Sequence, residues 1–341
     1  MDCCSTPRRI WYKDKTLIVI VILSALVGLS YALPGLVAFR DTFFMYVQRV
    51  GWAVSLGFFL SGVIEYYIPR EYISHILAKS QKRTIFYSVV LGFFSQACCH
   101  GVMAIAIQLH KKGASTPSVI SFILASPWAN LSLTFMMIGF FGVVKGLYII
   151  FAALIVAIVT GFIYQFLESK NLVEKNSHSL VMDATFSIGR DFTERRSKYQ
   201  FSADQLSADL RGVFKGSWAM ADMILWWILI GIGLASLAAA YVPAHIFHQY
   251  MGPTALGMTV TLLVATVLEV CSEGTSPLAF EIFRQTGALG NSLVFLMAGV
   301  VTDYTEIGLT WQNIGKKAAV WLPLVAIPQI IILGLIANRI F

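Results

Sequence analysis

The sequence predicts an all-α polytopic membrane protein, with one extra N-terminal helix and two inverted repeats. Each repeat would hold three spanning helices and one broken or re-entrant helical segment. Three observations lead there. Only 13% of the 341 residues are charged while 57% are apolar, and the apolar ones fall into long runs. The Lys and Arg residues sit in the connections with a one-sided bias once two segments turn back. Polar residues inside the apolar runs recur 173 positions apart.

The apolar runs lie at 16–38, 50–68, 84–110, 117–143, 146–167, 218–241, 255–283, 290–311 and 318–337. Each is long enough to enter a bilayer. Arg8, Arg9, Lys13 and Lys15 precede the first run. That run is long for a signal-peptide core, and no small-residue cleavage site follows it, so it reads as a retained helix over 16–38. Residues 1–15 are then a cytoplasmic tail, 46–167 the first repeat and 218–341 the second. Between the repeats, 168–217 is polar and charged and reads as a cytoplasmic loop. Near its end Leu206, Leu210, Val213 and Phe214 recur at helical spacing, which predicts an amphipathic helix lying on the membrane.

Topology follows from charge. If all nine runs crossed, Lys plus Arg would divide 11 inside to 14 outside, against the positive-inside rule. If 84–110 and 255–283 each enter and leave on one side, the division becomes 20 inside to 5 outside. The 242–254 connection, which has no Lys or Arg, then lies outside. Choosing 117–143 and 290–311 instead gives 18 to 7. The polar break at the middle of 84–110 favours the first choice. Each arm is then about 12 residues, or roughly 18 Å of helix, enough to pass the middle of a ~30 Å core. This places a multi-pass protein in the plasma (inner) membrane with its N-terminus in the cytoplasm.

The repeat rests on coincident exceptions. Cys98 matches Cys271, Gly101 matches Gly274, Gln96 matches Glu269, Gln108 matches Glu281, Lys111 matches Arg284 and Asn130 matches Asp303, all at an offset of 173. Tyr67 and Pro69 match Tyr241 and Pro243 at 174. Each copy has an odd number of crossings, so the second runs the opposite way. Inverted repeats whose broken helices meet near the midplane are a transporter architecture.

Two motifs carry the chemistry. Gln96-Ala97-Cys98-Cys99-His100-Gly101 offers two thiols and an imidazole, ligands suited to a soft or borderline metal or metalloid. Irregular backbone at membrane depth is tolerated only where protein or a water-filled cavity covers it. A lone cysteine is ordinarily a small buried hydrophobe; the alignment of Cys-Cys-His with Cys-Ser-Glu argues for more. The second motif, Glu269-Val270-Cys271-Ser272-Glu273-Gly274, brings two carboxylates to membrane depth, where they are expensive. They are read as cation ligands or coupling-proton carriers, with a structural hydrogen-bonded pair as the alternative. Asn130, after Ala125-Ser126-Pro127, and Asp303, after Ala298-Gly299, interrupt matching runs. They face the same cavity in one reading and mark a proline kink with small packing residues in the other.

Composition also excludes. The net charge of +7 is spread between apolar runs rather than on one face, so nucleic acid is a poor partner. The five cysteines include two vicinal pairs, Cys3-Cys4 and Cys98-Cys99, which are poor disulfide partners. No Gly-rich phosphate loop followed by Lys and Ser/Thr appears, and no hydrolytic trio.

The run from Cys99-His100-Gly101 through His110-Lys111-Lys112-Gly113-Ala114-Ser115 to Ala125-Ser126-Pro127-Trp128-Ala129-Asn130, with Glu269 to Gly274 and Ala298-Gly299 to Asp303, resembles the bacterial and archaeal predicted permease family. That family includes organoarsenical efflux permeases and relatives proposed to export heavy-metal ions. The resemblance covers about residues 50–335 and implies transport without identifying the cargo.

The resulting expectation is a permease, not an enzyme and without a cofactor, that exports a thiophilic metal ion, metalloid or organometalloid. Cys98, Cys99, His100, Cys271 and Glu273 are the expected ligands, with Gly101, Gly274, Asn130 and Asp303 beside them and Glu269 or Glu273 carrying protons. Its partners are that small substrate and the lipid bilayer, with a homo-oligomer left open. The competing readings are a carrier for a small organic or sulfur-containing anion, an intramembrane thiol enzyme using Cys98 or Cys271, and a non-transporting membrane subunit.

Overall fold

A computed structural model describes residues 15–67, 83–95, 99–111, 113–176, 203–268 and 271–341. The described residues form helices joined by short turns, without strands. The first half contains α1 (Lys15–Leu29), α2 (Val37–Tyr67), α3 (Thr84–Phe94), α4 (Cys99–Lys111), α5 (Thr116–Ala129), α6 (Leu131–Phe141) and α7 (Val143–Ser169). The second half contains α8 (Ala203–Tyr241), α9 (Ala244–Met251), α10 (Ala255–Leu268), α11 (Ser272–Thr286), α12 (Leu289–Thr302), α13 (Tyr304–Asn313) and α14 (Lys316–Ile340). Among them five helices are long and apolar enough to cross a membrane, or up to seven if each bent pair is one span. The chain is an all-α polytopic membrane protein.

Two boundaries differ from the sequence expectation. The helix expected over 16–38 stops at Leu29. Pro34 confines Leu33 to an extended conformation, so the chain turns through a 3-10 segment at Pro34–Leu36 before α2 begins. The separate surface helix expected near 203–216 is instead the first third of α8, a continuous 39-residue helix. No proline interrupts it, and its first turns pack on the end of α2. There Asp209 accepts hydrogen bonds from Tyr66 and Tyr67, at 2.9 and 3.3 Å. Leu206, Leu210 and Phe214 remain exposed while Val213 is buried.

The centre is built from α5 and α12. Every residue of α5 is buried, and α12 is buried from Leu289 to Ala298. A helix apolar on all sides belongs in a core rather than at an interface. Small residues let the neighbours close in: Gly92 of α3 meets Ala125 of α5, and Gly299 of α12 meets the Ala265 carbonyl of α10. Gly231 of α8 packs directly on the Gly274 carbonyl of α11, and Gly57 of α2 packs on the Ser132 backbone of α6. Gly57 and Gly231 stand 174 residues apart, the same spacing as the two Tyr and Pro pairs.

Hydrogen bonds tie the helix ends into two opposite layers. At one end, Thr116 donates to the Glu174 carbonyl, and Asn176 donates to the His110 and Ala114 carbonyls at 2.6 and 2.8 Å. In the same layer the Glu174 carboxylate accepts the backbone N–H of Lys317 and Ala318 at 2.9 and 3.1 Å, capping α14, and Tyr164 donates to the Ala318 carbonyl. At the other end, Arg49 donates to the Gly139 and Phe140 carbonyls, Asn291 to those of Met251 and Gly252, and Tyr148 to that of Leu333. There Gly142, with φ of +81°, permits the reversal from α6 into α7 that an L side chain would strain. Ile85, at the start of α3, lies beside Gly161, close to the Tyr164 layer, and α4 ends in that layer at His110. Between the two, Ser126 donates to the Ser95 carbonyl at the α3 tip.

Two consequences are measurable. Burial raises the Glu174 pKa, but the Lys317 and Ala318 amides and the Lys317 charge outweigh it and leave the carboxyl below its ordinary 4.5. A lowered folded pKa means the stabilisation is complete above about pH 4.5 and fades as pH falls through the folded value. Glu174→Gln is expected to cost about 1 kcal/mol near neutrality, as helix caps do. Melting curves of the two proteins should converge on acidification below pH 4.5. Gly231→Ala places a methyl group on the Gly274 carbonyl and is expected to destabilise by roughly 1–3 kcal/mol. Gly28→Ala, with open space around it, is expected to leave the melting temperature unchanged or raised.

Candidate functional site

The site forms where the central helices break. Pro127 removes one amide donor from the last turn of α5, and α5 meets α6 at a 42° bend at Asn130. Asn130 is extended, with φ −65° and ψ 160°, and its Oδ1 accepts the Leu133 amide at 2.8 Å, so it caps α6. In the second half Asp303 does the same for α13, accepting the Thr305 and Glu306 amides at 2.7 and 3.3 Å. The two residues aligned by the sequence offset thus hold equivalent places as helix N-caps.

Their remaining polar atoms differ in use. Asn130 Nδ2 donates to Glu273 Oε1 at 2.9 Å, joining residues 143 apart in sequence and on opposite halves of the chain. Both side chains are 2% exposed. Glu273 stands in the first turn of α11, where the Cys271 thiol lies beside its carboxylate. The positive end of the α11 dipole favours a negative charge at this position. Pro277, four residues on, cannot donate to the Glu273 carbonyl, which leaves that carbonyl outside the helix ladder.

Cys271, Glu273 and Asn130 therefore form one cluster at the start of α11. Cys271 is half-buried and Gly274 is buried against Gly231. Asp303 is half-buried at its own break, where it accepts the two capping amides. Gly101 lies in the first turn of α4 and is half-buried. Cys98 and Glu269 lie outside the described residues, and for Cys99 and His100 only the backbone, opening α4, is described. Among the described residues no three His, Cys, Asp or Glu groups gather as a metal site; the side chains of Cys98, Cys99 and His100 are not among them.

Sequence reasoning missed Ser272, Trp128 and Gly231. Ser272 Oγ and Trp128 Nε1 are buried without a hydrogen-bond partner among the described residues. Each sits within two residues of Glu273 or Asn130, which is the signal that would have flagged them. Gly231 lies in an unremarkable apolar run, and only its contact with Gly274 marks it.

A family model described as "Predicted permease" matches residues 36–339, from the start of α2 into the last turn of α14. The chain is 24% identical over 288 residues to "UPF0718 protein YcgR" of Bacillus subtilis (strain 168), a match spanning 82% of this chain and 90% of that protein. It is 23% identical over 256 residues to the Streptococcus mutans (strain ATCC 700610 / UA159) protein named "Putative two-component membrane permease complex subunit", across 74% of this chain and 79% of that one. No solved structure matches. The matched region takes in both halves and both broken-helix breaks, and the chain belongs to the predicted permease family of multi-pass membrane proteins.

Proposed function

We propose that this permease exports a thiophilic metal ion, metalloid or organometalloid through a site at the junction of its broken helices. The observation that carries the reading is the buried Asn130–Glu273–Cys271 cluster, which bridges the two halves. A carboxylate and a thiol side by side provide one hard and one soft ligand. Cys98, Cys99 and His100 would supply the rest. By the 173-residue offset His100 corresponds to Glu273, and Asp303 to Asn130. Gly101 and Gly274 would let backbone approach the cargo.

The transport cycle follows from the same groups. Cargo entering the site displaces the proton held by Glu273, and the Asn130 amide stabilises the carboxylate that results. Release on the far side lets the carboxylate take up a proton again, which couples export to the proton gradient; Glu269 is the alternative carrier. The layered hydrogen bonds support re-entrant hairpins at α3–α4 and α10–α11, entering from opposite faces. That arrangement is the inverted-repeat layout, and rocking of one half on the other would alternate access. The charge bias supports a cytoplasmic 168–217 loop in a plasma-membrane protein. A family of permeases favours a transporter over an enzyme.

One observation favours a second reading. Among the described residues Ser272 Oγ and Trp128 Nε1 are buried donors without acceptors, and α6 and α11 both begin at the site. Donors at helix N-termini suit an anion, so a carrier for a small organic or sulfur-containing anion is the runner-up. The name of the Streptococcus mutans relative adds a second membrane subunit as a candidate partner for this chain.

Flux into vesicles, screened across thiophilic metals, metalloids, organoarsenicals and small anions, tests these readings. Replacing Cys98 and Cys271 together with Ser is expected to abolish metal-dependent flux; undiminished flux would remove the site. Asn130→Ala withdraws the amide from a buried carboxylate, a loss of about 1.5–3 kcal/mol. It is expected to slow transport roughly 10- to 100-fold. Glu273→Gln is expected to leave residual flux that no longer responds to the pH gradient.

A further inference from the structure

A second buried carboxylate lies two turns beyond Glu273 on α11, about 12 Å toward the layer that contains Arg49. This is Glu281, which is 0% exposed. Arg284 donates to both of its oxygens at 2.7 Å, Gln285 donates at 2.6 Å, and Tyr46 donates its phenol proton. Arg284 and Gln285 belong to α11 itself. Tyr46, also 0% exposed, reaches across from α2 in the other half of the chain.

Aromatic rings close the same seam. Phe280 of α11 stacks on Phe140 of α6, with ring centroids 5.1 Å apart, and meets Tyr46 and Phe141 edge-on. Arg49 of α2 lies 4.8 Å above the Phe280 ring while donating to the Gly139 and Phe140 carbonyls. The result is a continuous polar and aromatic layer between the first half and α11. It stands between the Asn130–Glu273 pair and the Arg49 end of the molecule. Beside α11, a cavity of about 210 Å³ is lined by Glu281 and by apolar side chains such as Phe247, Leu278, Ile282 and Phe295. Close-packed interiors resist displacement, and this void gives the Leu278–Ile282 end of α11 room to shift.

We propose that Tyr46–Glu281 and the Phe140–Phe280 stack form a gate that closes the route from the Cys271–Glu273 site to the Arg49 face of the membrane. The physical argument is which bonds must break. If α11 moves toward the cavity, Arg284 and Gln285 travel with Glu281, so the carboxylate stays neutralised and bonded. At this end of α11 the bonds to the first half that are lost are the phenol bond and the ring contacts. A buried charge stripped of every partner would make opening prohibitive, whereas this arrangement lets one helix detach reversibly. The device belongs to one half only: Gln108, which corresponds to Glu281 by the 173-residue offset, is exposed on α4. The gate rests on the reading of Cys271 as part of the site but on no particular cargo.

Cys271 is a native reporter. Right-side-out and inside-out vesicles are treated with a membrane-impermeant maleimide, and modification of Cys271 is followed by peptide mass spectrometry. A tag after Phe341, whose ring lies 5.4 Å from Tyr148 in the Arg49 layer, identifies the vesicles that expose this face. Tyr46→Phe removes one hydroxyl and Glu281→Gln removes the charge. Both are expected to speed Cys271 modification tenfold or more from the Arg49 face alone. Wild-type rates in variants of wild-type melting temperature would overturn the gate, as would equal acceleration from both faces. If Glu281→Gln does not fold, Tyr46→Phe decides. Loss of the gate is separable from loss of the site: unchanged flux in Cys271→Ser sinks only the site if, in protein that keeps Cys271, its labelling rate still responds to Tyr46→Phe.

Discussion

The arrangement depends on one hydrogen bond between side chains, from Asn130 Nδ2 to the Glu273 carboxylate. Both residues are buried where two helices start, among central helices that are mostly apolar. An ionised carboxylate is not tolerated there without donors. Asn130 has two functions to offer, a carbonyl oxygen and an amide nitrogen, and the structure uses both. The oxygen caps α6, and the nitrogen binds a residue of the other half. A residue with only acceptors would cap as well, as Asp303 does for α13, but would repel Glu273. The difference between Asn and Asp at equivalent places is therefore what lets the halves meet through a polar contact.

Everything around that contact serves to keep water out and backbone polar groups satisfied. The two central helices, α5 and α12, are buried on all sides, and glycines at Gly92, Gly231 and Gly299 bring neighbours within backbone contact. At the ends, the Glu174 cap and the Asn176 amide bind α14, α4 and the start of α5 into one layer, while Arg49 and Asn291 organise the other. The centre is therefore held by packing and the ends by hydrogen bonds. Such a structure permits motion of a helix at its end without unravelling the middle. The Glu281 cluster fits this division, since most of its bonds lie within one helix and a single phenol crosses to the next.

The halves are alike in order and unlike in detail. Each presents a helix, a break, a second helix, a buried helix, a capping residue and a closing span. Yet Glu281 is buried where Gln108 is exposed. A symmetric machine would open equally on both faces. The differences between corresponding residues are where direction would be built in.

Much of this was legible in the sequence, for definite reasons. Hydrophobic runs report burial or lipid whatever their contacts, so the all-helical membrane class follows from composition and run length. Polar residues in those runs stand out because they are costly, which singled out Asn130, Glu273 and Cys271 before any coordinates. Helix ends were less legible: Pro34 stops α1 early, while the absence of any proline lets α8 run through a stretch that local amphipathicity would separate. Partnership was not legible at all. That Asn130 reaches Glu273 rather than Asp303, that Tyr46 reaches Glu281, and that Gly231 rests on Gly274 are facts of helix placement across more than 40 residues of chain in every case. A sequence records which groups need partners; only the packing of the helices decides which partner each one finds.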